Sequence, residues 1–159
     1  MTVHRRLADP EATERAGAAL WHALSVPLVV HLEGNLGAGK TSLVRGLLRA
    51  AGHAGPVPSP TYTLVEPYAT EPPVHHLDLY RLGDAEELEF IGLRDLLAAG
   101  GALLVEWPAR GAGVLPAPDL ALRLTVAGTG RDLALDAGSA RGRAVLRAWL
   151  TEFDVNSKK

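Results

Sequence analysis

Residues 34–41 read Gly34-Asn35-Leu36-Gly37-Ala38-Gly39-Lys40-Thr41, which satisfies the pattern G-x-x-x-x-G-K-[ST]. The chemistry such a stretch supports is the holding of nucleotide phosphates. Gly34, Gly37 and Gly39 let the backbone wrap closely around phosphate oxygens and aim N–H groups inward, with Ala38 and Ser42 in the same stretch. The helix expected next presents its positive end to the same charge. Lys40 would reach the β and γ oxygens, and the Thr41 hydroxyl would ligate magnesium. With 17 Gly in the chain, and few Lys, Ser and Thr, chance produces such a match in roughly 0.3% of chains of this composition.

Phosphoryl chemistry also needs a carboxylate near the metal, usually at the end of an apolar strand. Asp78 ends Val74-His75-His76-Leu77, and Glu106 ends Ala102-Leu103-Leu104-Val105. Either belongs at the carboxyl edge of a sheet, where open α/β folds bind ligands. The expected catalytic set is Lys40, Asp78 and Glu106, and the sequence leaves open which carboxylate meets the metal. A small GTPase would carry Asp-x-x-Gly, but Asp78 is followed by Leu79-Tyr80-Arg81. An Asn-Lys-x-Asp base signature is excluded, because the other two lysines are Lys158 and Lys159 at the tail.

These residues need elements to position them. Asp9-Pro10-Glu11 opens a helix to about residue 24, with Asp as cap and Pro in the first turn. Apolar residues 28–32 predict a buried strand, and residues 42–51 a helix ended by Gly52. Alternation over 61–68 predicts a strand, as does 74–79. Residues 84–90 and 93–99 are expected as helical pieces parted near Gly92. A buried strand at 102–105, a hairpin of 120–126 with 132–136, and a helix over 140–150 follow. Residues 1–153 are expected as one domain, with 154–159 a polar, frayed tail. Strands mixed with helices predict an α/β, P-loop NTPase-like three-layer domain. Its central sheet is mixed and mostly parallel, with an antiparallel edge hairpin.

Composition agrees with an ordinary globule of 159 residues, 47% hydrophobic and 21% charged. The absence of Cys excludes a disulfide scaffold, a Cys-based zinc site and a thiol nucleophile. A net charge of −2 argues against free-standing nucleic-acid binding. Neither a membrane span nor a signal peptide is expected. Of 16 basic residues only three are Lys, so the body of the chain holds a single lysine, Lys40.

Further segments follow in order: Ser59-Pro60-Thr61-Tyr62-Thr63-Leu64-Val65, His76-Leu77-Asp78-Leu79-Tyr80-Arg81-Leu82, Glu86-Glu87-Leu88-Glu89-Phe90-Ile91-Gly92 and Val105-Glu106-Trp107-Pro108. Together with the glycine-rich loop they resemble the TsaE (YjeE) family, over about residues 7–150. That family is the small bacterial ATPase required for threonylcarbamoyladenosine in tRNA. The resemblance implies ATP and Mg2+ at the loop, with Lys40 on phosphates, Thr41 on the metal, Glu106 as a metal-side carboxylate and Asp78 as a Walker B-like acid. It implies that Thr61 lies in a switch-like loop, and that Arg131 and Thr13 lie near the nucleotide; Trp107, which directly follows Glu106, is expected either near the nucleotide or in the core. It further implies a cytoplasmic accessory subunit to TsaD and TsaB that meets tRNA only through those partners. One departure is Asn35, where many relatives carry Asp; the backbone cradle does not need that side chain.

Other readings are a small-molecule P-loop kinase and a nucleotide-bound scaffold without turnover. The segment 81–94 could form a kinase lid, but Glu86-Glu87-Leu88-Glu89 reads as an acidic, solvated helix. Tyr62, Tyr68 and Tyr80 are expected to pack. His75 and His76 point to opposite strand faces and are expected to be structural.

Overall fold

The computed structural model describes residues 1–60 and 63–157. In chain order the elements are β1 (Thr2–Leu7), α1 (Pro10–Ala23), β2 (Leu28–Glu33), α2 (Lys40–Ala50), β3 (Val65–Tyr68) and β4 (Val74–Asp78). Then come α3 (Glu87–Phe90), α4 (Leu93–Ala98), β5 (Ala102–Glu106), β6 (Leu120–Ala127), β7 (Gly130–Ala137) and α5 (Ala140–Ser157). The strands form one seven-stranded sheet in the order β1-β7-β6-β2-β5-β4-β3. The pairs β6–β2, β2–β5 and β5–β4 are parallel, while β1–β7, β7–β6 and β4–β3 are antiparallel. The expected mixed α/β sheet with a parallel centre is what the chain builds.

Both faces of the central strands are covered, which is why those strands read as unbroken apolar runs. Leu28, Val30 and Leu32 of β2 share one core with α1, α2 and α5, through Leu20, Leu43, Leu47, Leu146 and Trp149. Leu77, Leu103 and Val105 face the other way, onto Leu88 of α3 and Leu93 of α4. By the two-residue period of a strand, His76 and Asp78 share the face of Val74, and Glu106 shares that of Leu104.

Three expectations are corrected. β1 went unforeseen, because Thr-Val-His-Arg-Arg-Leu carries only a weak one-sided pattern. It pairs with β7, so the β6–β7 hairpin lies one strand in from the edge. The predicted strand over 61–68 begins only at Val65, after Leu64 takes a left-handed φ of 67°; Thr61 and Tyr62 lie outside the described residues. The predicted frayed tail is helical as far as Ser157. Phe153 stacks on Trp149 at 4.7 Å between ring centroids. Asp154 receives two hydrogen bonds from Arg5 of β1, at 3.0 and 2.9 Å. An unforeseen strand and an unforeseen last turn hold each other. Among the described residues, no helix is long and apolar enough to cross a membrane.

Helices α1 and α2 meet at backbone contact. A Cβ on Gly17 would stand 1.9 Å from the Leu43 carbonyl oxygen, and one on Gly46 would stand 2.0 Å from that of Glu14. Gly17→Ala gains about 1 kcal/mol of helix propensity. The backbone overlap forces the helices apart, which costs more than that gain. The expected result is a net loss of about 2–3 kcal/mol, seen as a fall of roughly 5–10 °C in the circular-dichroism melting temperature. An unchanged melting temperature would show that the helices can separate freely.

Candidate functional site

The turn after β2 is shaped by glycines where side chains would be strained. Gly37 has a φ of 79°, and Gly39, which caps α2, has a φ of 106°. Left-handed backbone at both positions favours a residue without Cβ. The loop thereby delivers the N-terminus of α2, an 11-residue helix, to the carboxyl edge of the parallel strands. Arg131 of β7 braces the loop from outside. Its Nε donates to the Ala38 carbonyl at 2.9 Å and a terminal nitrogen donates to the Gly37 carbonyl at 3.1 Å.

Lys40, the first residue of α2, folds back over the loop and is only 6% exposed. Its Nζ donates to the Gly34 carbonyl at 2.6 Å and lies 3.7 Å from Glu106 Oε1. The same ammonium stands 4.0 Å from the centroid of the Trp107 indole ring, a cation–π contact. Burial lowers the Lys40 pKa, while the charges of Glu106 and Asp78 pull it back up. The two carboxylates thus favour the charged form that a phosphate site requires.

Strand register brings those carboxylates together, because β4 and β5 are parallel neighbours with Asp78 opposite Glu106. Both are 3% exposed. Asp78 receives the Tyr80 N–H at 2.9 Å and the Ser59 hydroxyl at 3.4 Å. Glu106 Oε2 lies 2.6 Å from His76 Nε2. Trp107 holds a left-handed φ of 55°, rare for a bulky residue and common at functional sites. Its indole meets the Tyr80 ring at 5.0 Å.

A cavity of about 270 Å³ gathers Gly37, Gly39, Lys40, Thr41, Ser42, Asp78, Glu106, Trp107 and Arg131, with Leu36 and Ser59. These come from β2's turn, α2, β4, β5 and β7. Thr13 lies beside it, in a recess of about 80 Å³ shared with Gly39, Ser42 and Arg131. Gly34 and Ala38 line a different cleft, but their carbonyls hold Lys40 and Arg131. Thr61 lies outside the described residues. Of the two histidines, which lie on opposite faces of β4, it is buried His76 that touches Glu106. The two-residue spacing of His76 and Asp78 on one strand was the signal available. Ser59 and the Trp107–Tyr80 contact needed the fold.

The donor set suits a hard, hydrated cation. Among the described residues, no cluster of three His, Cys, Asp or Glu side chains could enclose a metal by itself. Two carboxylates and a hydroxyl, with room left for phosphate oxygens and water, match the habits of magnesium rather than zinc.

Residues 7–133 match the family described as threonylcarbamoyl adenosine biosynthesis protein TsaE. A Haemophilus influenzae tRNA threonylcarbamoyladenosine biosynthesis protein TsaE is 44% identical over 123 residues, covering 77% of this chain and 78% of its own. A Synechocystis protein of the same name is 41% identical over 109 residues, covering 65% of this chain and 69% of its own. The crystal structure of Bacillus subtilis YdiB superimposes with a TM-score of 0.79 at 28% identity, covering 99% of this chain and 97% of that one.

Proposed function

Because the chain belongs to the TsaE family of threonylcarbamoyladenosine biosynthesis proteins, we propose that it is a magnesium-dependent ATPase. It serves that tRNA modification in the cytoplasm, as an accessory subunit to TsaD and TsaB. The observation that carries this reading is the convergence of Lys40, Asp78 and Glu106 in one cavity at the N-terminus of α2. An ammonium, two carboxylates and a helix N-terminus meeting beneath a glycine-rich turn are the parts that phosphoryl transfer to water uses.

In this reading the loop amides and α2 receive the β- and γ-phosphates. Lys40 exchanges the Gly34 carbonyl for phosphate oxygens and stabilises the charge that grows there. Thr41, Asp78 and Glu106 are the residues that would hold magnesium. Magnesium supplies Lewis-acid neutralisation of the phosphate oxygens when bound. Asp78 and Glu106 also border the space in which an attacking water would be oriented. Arg131 is the only arginine among the described residues lining the cavity, and its guanidinium is committed to the loop carbonyls of Ala38 and Gly37 and to that of its neighbour Gly130. Among the described residues, no arginine lining the cavity is therefore free to act as an arginine finger, and hydrolysis by the isolated chain is expected to be weak.

The test is reconstitution with TsaD, TsaB and tRNA, scoring modified adenosine and released ADP with and without this chain. Multiple rounds of modification that require the chain and track ADP release are the expected result. Modification that proceeds equally without it would refute the accessory role. A phosphorylated metabolite in place of free phosphate would return the kinase reading.

A further inference from the structure

His76 is fully buried, and its Nδ1 has no hydrogen-bond partner among the described residues. Its Nε2 lies 2.6 Å from Glu106 Oε2. That distance requires a proton between nitrogen and carboxylate, since two bare lone pairs would repel. Placing the proton on Nδ1 instead would bury an unpartnered N–H, a worse outcome than a bare lone pair. A ring that carries its proton on Nε2 and donates it to Glu106 meets both conditions.

The register gives this bond a purpose. His76 pairs with Leu104, and Asp78 pairs with Glu106, so the imidazole reaches one pair further along the adjacent strand. Glu106 then has two partners of different kinds. Oε2 is bonded to a ring locked in the core, while Oε1 faces Lys40 at 3.7 Å. Lys40 sits on a long flexible stem, and the nucleotide competes for it.

We propose that His76 is the positioning residue of Glu106. Its Nε2–H holds the carboxylate at the cavity edge when Lys40 leaves for phosphate, so that the site does not lose its acid with its base. This rests on the ATPase reading above. An outer hydrogen bond that orients a metal-side ligand typically changes affinity or activity by 10–100-fold.

Two measurements on the full chain test it. In the reconstituted system, His76→Leu is expected to lower kcat for ATP about tenfold or more, with KM within roughly threefold. His76→Gln restores an N–H donor near the position of Nε2 and should recover most of the loss. Separately, 15N NMR of the unliganded wild type should show a protonated Nε2 and a bare Nδ1. A His76→Leu chain that turns over like wild type overturns the proposal. So does a glutamine variant as impaired as the leucine one, because packing alone would then explain the loss. A proton found on Nδ1 also overturns it. A wild type that turns over no ATP with its partners refutes the ATPase reading itself, visible before any variant is compared, and the positioning role falls with it.

Discussion

Lys40→Ala is expected to lower ATP hydrolysis by the reconstituted system about 10²–10³-fold, the usual effect of removing one preorganised charge donor from a transition state. The geometry sharpens this expectation. The ammonium occupies a slot between the Gly34 carbonyl, Glu106 and the Trp107 ring, with 6% of the residue exposed. Lys40→Arg should therefore fail almost as badly, because a planar guanidinium is too wide for a slot shaped around a point charge. The alanine variant also leaves Glu106, among the described residues, with His76 as its remaining hydrogen-bond partner, so a melting curve must accompany the rate. Released ADP is the quantity to measure. If Lys40→Ala matched wild type in a folded chain, the phosphate loop would not be the site of reaction.

Glu106→Gln carries the second large effect. The substitution keeps the shape and keeps an acceptor for His76, but it removes the charge. Turnover is expected to fall about 100-fold or more, with a higher magnesium requirement. Comparison with Asp78→Asn decides which carboxylate meets the metal, since the direct ligand gives the larger rise in the magnesium needed for half-maximal rate. Glu106 also raises the Lys40 pKa against the lowering effect of burial. Removing its charge must therefore lower that pKa further. A lysine with a lower pKa loses its proton at lower pH, so the alkaline limit of ADP binding, measured without metal, should move to lower pH in Glu106→Gln. A binding profile that stayed in place would show that Glu106 does not act on Lys40 electrostatically.

Much of the candidate site was legible before the fold. The loop was readable because phosphate cradling demands glycine and lysine at fixed local spacing. Asp78 and Glu106 were readable because each ends an apolar run. Less was legible at the margins. Thr2–Leu7 lacks a strong alternating pattern, and as an edge strand it is held by β7 rather than by its own propensity. Residues 154–157 looked polar and loose, yet Asp154 is bound by Arg5, which lies 149 positions away. His75 and His76 were readable as facing opposite ways, but which of them meets a carboxylate was not. They differ only in which face of β4 each occupies relative to β5.

The sequence by itself determined the fold class, the family, and the side chains that are candidates to handle a phosphate. Those depend on residue type and short-range spacing, where backbone periodicity is decisive. The tertiary structure alone decided how these side chains combine. It set Asp78 opposite Glu106, placed His76 within reach of a carboxylate 30 residues on, and slid the Trp107 indole beneath the ammonium of Lys40. The reason is strand register: pairing between distant segments is fixed by packing on both faces of the sheet, and no local pattern encodes which residue faces which.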